Sequence, residues 1–376
     1  MSMDALSYWE HKHWLQNIDY AIIGSGIVGL NCALALKRQD PKAKVVIFEK
    51  GILPHGASTK NAGFTCFGSI SEIISDLESQ GEAAVLSLVQ KRFKGVQLLR
   101  ETLGDAAMAY ENLGGHEVFL DSQNSLFEKC HTQLAAVNQL LAPVFNAASF
   151  ELQENHFKFK GVQNQYMSSP HEGQIDTGLT MQNLIAKVQQ SGVLIFYGLP
   201  ATAIESSTSQ VHISTPHFEC SAKKVCLATN GFSKQFGIEE VQPARAQVLI
   251  TKPIKKLHIK GAFHLDEGYY YFRNIDQRIL IGGGRNLDFK GEETTSFKQT
   301  PRIQKALEQL LTDCVLPQTP FEIEQRWSGI MGVGPGKHPI VKKVSQRLFA
   351  GCRLGGMGVA LGAQVGHELA AMCLAD

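Results

Sequence analysis

At 376 residues, with 44% hydrophobic and 19% charged side chains and a formal net charge of +1, the chain has the composition of an ordinary globular protein of one or two domains. So near-neutral a balance creates no field that would gather nucleic acid or an anionic membrane surface, which disfavours both as partners. The eight cysteines (Cys32, Cys66, Cys130, Cys220, Cys226, Cys314, Cys352 and Cys373) form no CxxC pair and no zinc-like cluster with histidine, so they read as reduced thiols and no metal site is expected.

The opening stretch MSMDALSYWEHKHW has neither a basic n-region nor an apolar h-region and reads as no signal peptide. Within it, His11 and His13 lack a third ligand and read as solvated helix surface. The most apolar stretches, 20–36 and 354–375, are short and dotted with glycine, and the second carries Gln364, His367 and Glu368. Neither reads as a membrane span, and a cytoplasmic location is expected.

Residues 18–50 read as one β-α-β unit: an apolar run at 20–23, the turn Gly24-Ser25-Gly26-Ile27-Val28-Gly29, a helical pattern, then the strand 44–50. Helical periodicity dominates 70–113 and about 126–142. Short alternating runs follow: a strand at 157–162, a helix over 180–190, strands at 193–197 and 211–214, and a buried strand in KKVCLATNGF. A β-rich block covers 243–285, where Asn274-Ile275-Asp276-Gln277 supplies a hairpin turn. The C-terminal part holds RWSGIMGVGPGKHPIV, a strand QRLFAGC, and a loop entering a helix in RLGGMGVALGAQVGHELAAMCL.

In a G-x-G-x-x-G turn the first glycine permits the bend, the second lets a pyrophosphate reach the backbone and the third lets helix pack on strand. Here the motif follows a strand and opens a helix, and Glu49 ends the second strand 20 residues after Gly29. A carboxylate there can take both ribose hydroxyls, so a dinucleotide is expected. Between NAD and FAD, the small-residue run GILPHGASTKNAGF just beyond Lys50 favours the flavin, whose ring lies far from the pyrophosphate and needs close backbone on one face.

The segment GASTKNAGF (56–64) resembles the G-A-S-x-[RK]-N-x-G segment of the D-amino-acid oxidase superfamily of FAD-dependent oxidoreductases, which includes glycine, sarcosine and gamma-glutamylputrescine oxidases. The likeness runs along nearly the whole chain. GQIDTGLTMQNLIAKVQQSGVLIFYGLPATAIE is similar to the family's adenine-side β-α-β, VCLATNGF to its A-T-x-G strand end, VQPARAQVLIT to its P-x-R-x-Q strand, YYYFRNIDQRILIGGGR to its hairpin and RWSGIMGV to its W-x-G segment. The early SYW looks most like the gamma-glutamylputrescine oxidase branch.

The resemblance implies an α/β fold: a Rossmann-type, glutathione-reductase-like FAD-binding domain (1–90, 155–242 and 327–376) interleaved with an antiparallel-sheet substrate domain of α+β type (91–154 and 243–326). It implies non-covalent FAD held by Gly24, Ser25, Gly26, Ile27, Val28 and Gly29 at the pyrophosphate, Glu49 and Lys50 at the ribose, and Ala201 by the adenine. Ser58, Thr59, Lys60, Asn61, Ala62 and Gly63 would flank the ring, with Ala228, Thr229, Gly231, Met331, Gly356, Met357, Gly358 and Val359 completing the cradle. Gly358, Gly362 and Gly366 recur every four residues, leaving one bare helical stripe for close packing.

Along 269–273 the residues alternate, so Tyr269, Tyr271 and Arg273 share one face and are expected to look into the site, with Lys60 tuning the ring's charge. For each tyrosine, core packing and substrate contact remain equal alternatives. Amino-acid-oxidising members carry an arginine where this chain has Met331, which disfavours a simple α-amino acid unless Arg273 or Arg285 substitutes. Ser328 and Gly329 stand where sarcosine oxidases attach flavin through cysteine. Leu280 stands where sarcosine oxidase has its oxygen-activating lysine, so O2 and a quinone or carrier are equal candidates as acceptor.

The implied reaction is oxidation of a C–N bond in an amine or amino-acid-like small molecule by hydride transfer to flavin N5, with the imine then hydrolysed; His264 or a tyrosine would assist amine deprotonation. Two alternatives stand beside it. One is a 2-hydroxy-acid dehydrogenase using His264 or His338 as base, and the other is a protein that binds FAD without efficient turnover. A pyridine-nucleotide reductase is disfavoured because GVGPGKHP, broken by Pro335 and Pro339, cannot open a second dinucleotide helix.

Overall fold

In the computed structural model, which describes residues 6–376, the chain builds two large sheets. Residues 1–5, the head of the stretch read above as no signal peptide, lie outside the described residues. β1 (Ile18–Ile23), α1 (Ile27–Gln39) and β2 (Val45–Phe48) form the expected β-α-β unit. β1 and β2 pair in parallel, Tyr20 with Val45 through Ile23 with Phe48. All four residues of β2 are buried, as a strand covered on both faces requires. Leu194–Phe196 continues the sheet beyond β2, and Glu219–Leu227, Leu348–Cys352 and Ile340–Ser345 continue it beyond β1, all parallel except the last.

The helical stretch expected over 70–113 is broken into α2 (Ile70–Gln80), α3 (Glu82–Leu103) and a single turn, Asp105–Met108. Gly81 and Gly104 stand between them at φ 79° and 83°, a conformation that ends a helix and that only glycine adopts freely. The second helix runs Asn124–Phe145. The helix expected from 180 starts at Thr177, because the Asp176 carboxylate accepts the Leu179 N–H and caps it.

The strand expected over 157–162 does not form. Phe157 and Phe159 instead sit in irregular chain and pack edge-on against Phe263 and Phe272 in the core beneath the second sheet. Their alternation with lysine recorded burial, and no neighbouring strand was there to make a ladder.

The second sheet contains β3 (Gln242–Thr251), β4 (Ala262–Leu265), β5 (Tyr270–Ile275), β6 (Arg278–Gly283) and β7 (Ile323–Val333), in the order β7-β3-β6-β5-β4. These pair antiparallel. Beyond β4 come Gly115–Glu117, Gln165–Ser169 and Glu151–Glu154, so 165–169 joins this sheet although the sequence reading put 155–242 in the nucleotide part. The β5–β6 turn is Asp276-Gln277, both left-handed at φ 47° and 61°, the two-residue turn that matches strand twist.

α4 (Gly358–Ala375) closes the nucleotide sheet. It is long and apolar enough to cross a bilayer, with mean hydropathy 1.2, but 56% of it is buried in the protein. A Cβ on Gly362 would strike Ile27, and one on Gly366 would come within 2.6 Å of the Val28 carbonyl, so α4 lies directly on α1. Gly358 is not part of that seam, since a Cβ there would meet only Leu354 at an ordinary 3.6 Å.

Candidate active site

One cavity of about 730 Å³ runs from the glycine turn of the first sheet to the face of the second. Its floor is the N-terminus of α1, lined by Gly24, Gly26, Ile27 and Val28. No side chain caps α1 from its N-cap Gly26. The Ile27 N–H donates to Ser58 Oγ at 2.9 Å, which brings the 56–63 segment against the helix end. Gly29 does not line the cavity: a Cβ there would lie 2.0 Å from the Gly24 carbonyl, so its role is helix–strand packing.

Glu49 lines the cavity, while Ser25 is buried behind it. One Glu49 oxygen accepts the Ser25 N–H and Oγ–H, both at 2.9 Å, and the other accepts the N–H groups of Gly51 and His55. The carboxylate is therefore fixed in place before any ribose arrives. Lys50 lies 3.3 Å above the Phe232 ring, and Ala201 lines the same end of the cavity.

The segment 57–63 is held from several sides. Asn61 donates to the Ser58 carbonyl and accepts from Gly63 N–H and Thr177 Oγ; Trp327 Nε1 donates to the Lys60 carbonyl at 3.0 Å. Ser58, Lys60, Asn61, Ala62 and Gly63 face the cavity, but Thr59 turns away to donate to the Pro54 carbonyl. Burial pulls the Lys60 ammonium below the usual lysine range, with Glu49 opposing weakly.

Arg273 is not a substrate group. Its guanidinium is 3% exposed and donates to the carbonyls of Ala62, Gly63 and Ile175, and it does not line the cavity. It shares a face with Tyr269 and Tyr271 as the alternation requires, but there it fastens the ring-flanking segment to the second sheet. Burial lowers it to about 10.

The far wall carries Tyr269, Tyr271, His264, Phe64, Val248 and Met331. Tyr271 stands edge-on to Phe64 and is pushed up to about 12 by burial, so it is a neutral phenol. Burial pulls the His264 imidazole down, but the facing Glu172 carboxylate outweighs this and leaves it above the ordinary histidine range. His338 lies outside the cavity lining. Leu280 is also outside it, buried at 6% exposure.

Ala228, Thr229, Gly356, Met357, Gly358 and Val359 line the cavity; Gly231 does not, because its Cβ position abuts the Met331 carbonyl. The N-cap of α4, Met357, offers no side-chain cap. Sequence reading missed the cavity-lining His55, Asn230, Phe232, Glu72, Asp76 and Lys337, and gave Arg285 only as a possible substitute. Lys337 pairs with Asp76 at 2.8 Å, both lining the cavity. Arg285 lies 4.7 Å over the Phe289 ring and is half-buried; among the described residues its guanidinium makes no hydrogen bond or ion pair. Glu72 and Asp76 share one face of α2 and Asn230 and Phe232 one short segment, but no motif marks them, because they meet the rest of the cavity only through the tertiary fold.

These residues fit FAD. Two helix N-termini, α1 and α4, converge on one cavity, and past the Ile27 N–H that Ser58 takes they present first-turn N–H groups and positive dipole ends to an anionic dinucleotide and to a ring that gains charge on reduction. A Cβ on Gly329 would lie 3.2 Å from Lys60 Cβ, so a side chain there, a cysteine included, would require Lys60 to give by a few tenths of an ångström.

Comparison with known proteins agrees. Residues 19–372 match the family model for FAD dependent oxidoreductases of the DAO type. A probable oxidoreductase OrdL of Haemophilus influenzae is 21% identical over 96% of this chain and 84% of that protein. Among solved structures, L-proline dehydrogenase from P. horikoshii superposes with a TM-score of 0.75 at 16% identity, covering 95% of this chain and 93% of its own. Iminodiacetate oxidase from Chelativorans sp. gives 0.74 at 17% identity, and glycine oxidase from Geobacillus kaustophilus 0.72 at 18%, each covering 95% of both chains. The chain belongs to the DAO family of FAD-dependent oxidoreductases, and FAD is its cofactor.

Proposed function

We propose that this enzyme oxidises the carbon–nitrogen bond of a small amino-acid-like amine, the resulting imine being hydrolysed by water. One observation carries the reading: to the aromatic wall of the FAD cavity Arg285 brings a guanidinium that, among the described residues, makes no hydrogen bond or ion pair. A substrate carboxylate would complete it bidentately, restoring the clamp that Met331 removes. The structural relatives named for proline, glycine and iminodiacetate point to the same substrate chemistry.

When bound, FAD supplies the two-electron acceptor at N5 for the substrate C–H hydride. Tyr271, Phe64 and Met331 exclude water and position the amine. His264 is the side chain on that wall able to take the amine proton. Lys60 and the α4 N-terminus supply positive potential. With Ser328 and Gly329 in place of an attachment cysteine, FAD is held non-covalently. O2 or a quinone takes the electrons, and the enzyme works in the cytoplasm. A 2-hydroxy-acid substrate would have His264 alone for its base, since His338 lies elsewhere.

The test is anaerobic mixing of the yellow protein with proline-like, glycine-like and iminodiacetate-like amines, carboxylate-free amines and 2-hydroxy acids, following flavin absorbance. Bleaching by carboxylate-bearing amines supports the proposal, and air then separates oxidase from dehydrogenase. Bleaching by hydroxy acids alone overturns it. A flavin that dithionite reduces but no amine does would return the binding-only reading.

A further inference from the structure

Beside the substrate wall, three donor side chains from distant parts of the chain meet: Cys66 Sγ, Glu172 and His264 Nε2 lie within 4.8 Å of one another. We propose that they form a binding site for a thiophilic divalent cation of the zinc class, opening on the substrate cavity. Thiolate, carboxylate and imidazole are the three ligand types zinc takes from proteins. All three residues are at least nine-tenths buried, at 6%, 2% and 6% exposure.

The spacing suits a shared cation as well as it suits an ion pair. His264 Nε2 stands 3.4 Å from Glu172 Oε2 and has no hydrogen-bond partner among the described residues. A charge-assisted hydrogen bond would close to about 2.7–2.9 Å. Two ligands each about 2.05 Å from one tetrahedral cation stand about 3.3 Å apart. The observed separation fits two ligands on a shared cation.

The carboxylate is also oriented as a ligand. Its other oxygen accepts the N–H groups of Phe67 and Gly68, the two residues after Cys66, so one turn supplies the thiol and aims the carboxylate. Gly115 makes the room: a Cβ there would sit 1.9 Å from Glu172 Oε2. Met357 Sδ lies 3.4 Å from Cys66 Sγ, adding a soft neighbour. Cys66 and His264 both line the cavity, which gives an entry path and a side open to solvent. Binding sends the thiol proton, and whatever proton His264 Nε2 carries, to solvent as both atoms join the cation, so free zinc is expected to inhibit turnover and a chelator to restore it.

The deciding experiment needs no substrate and so stands apart from the amine reading. Chelator-treated, FAD-loaded protein is titrated with Cd2+, following the thiolate-to-metal band in the ultraviolet difference spectrum, and with Zn2+ by calorimetry in two buffers to count released protons. Expected are one equivalent per chain, a cadmium–thiolate band and about one to two protons released, from the thiol and the imidazole. Cys66→Ser should abolish the band, Glu172→Gln should weaken binding tenfold or more, and Cys130→Ser, a buried thiol elsewhere, should change neither. The visible flavin spectrum and thermal midpoint certify each variant's fold. No stoichiometric uptake by the parent protein, or uptake undiminished in folded Cys66→Ser, overturns the proposal.

Discussion

The floor and the wall of the cavity are built on different principles. The floor is backbone: α1 and α4 present N–H groups, and glycines bring main chains together, as where Gly29 meets the Gly24 carbonyl. The wall is side chains, Tyr269, Tyr271, His264 and Arg285, projected from strands and turns of an antiparallel sheet. A backbone site tolerates no added atoms, whereas a side-chain site tolerates exchange at the level of specificity. Gly29→Ala is therefore the most damaging change expected, because its Cβ falls 2.0 Å from a carbonyl oxygen that cannot turn aside. It should yield protein without flavin or no folded protein, read as the ratio of visible to ultraviolet absorbance after purification. A yellow, stable variant would mean that the floor is more plastic than a close-packed turn allows.

Arg273 tests where wall ends and scaffold begins. Its removal leaves the Ala62 and Ile175 carbonyls without a partner, while the Gly63 carbonyl keeps the Ile175 N–H. With a penalty of about 1–3 kcal/mol for each group left unpaired, partly relieved by water, Arg273→Ala should cost about 2–4 kcal/mol in stability. FAD should also dissociate more readily as the 57–63 segment loosens. Thermal unfolding with and without added FAD reads both effects. A raised KM with unchanged stability would instead make Arg273 the substrate clamp that the strand alternation first suggested.

That contrast explains what the sequence could show. The floor is local: strand, glycines, helix and Glu49 fall within residues 18–49, so spacing alone exposes them. The 56–63 segment was legible as a pattern, but the turning-away of Thr59 was not, because it depends on a hydroxyl choosing the Pro54 carbonyl. On the wall, period two put Tyr269 and Tyr271, which line the cavity, on a different face from Tyr270, which does not, yet it could not tell how deep Arg273 lies along the same face. The alternation at 157–162 misled because burial of Phe157 and Phe159 needs no strand. Cys66, Glu172 and His264 are each unremarkable in sequence and meet only through the tertiary fold.

Behind the wall the two regions differ again, in buried charge. Glu117 is fully buried on the strand beside β4, hydrogen-bonded to the Ser71 hydroxyl and N–H, and burial pushes it up to about 7. The folded state then keeps a proton that the unfolded chain releases near 4.5, so between about pH 4.5 and 7 the folded state binds more protons and stability falls as pH rises. The loss amounts to about 3 kcal/mol and is complete above pH 7. Glu117→Gln should remove this slope and gain relative stability at pH 8, measured by denaturant unfolding at pH 4.5, 6 and 8. Parallel pH profiles for parent and variant would show that Glu117 is ionised in the folded protein throughout.

Arg285 sets the smallest effect and the sharpest division between floor and wall. Because its guanidinium rests on Phe289 and makes no polar contact among the described residues, Arg285→Ala strands no buried acceptor and should leave stability and FAD content nearly unchanged. For an amine that carries a carboxylate, loss of a bidentate ion pair on a half-buried wall should raise KM tenfold or more, about 1.4 kcal/mol or above. For an amine without one, KM should hold. Arg285→Lys keeps the charge but not the fork, so it should recover part of the loss. The comparison of KM between the two amine types is the readout, with flavin content as control. Equal changes for both would assign Arg285 to shaping the wall through its stem on Phe289, and would leave carboxylate recognition to Lys60, which the floor and the wall share.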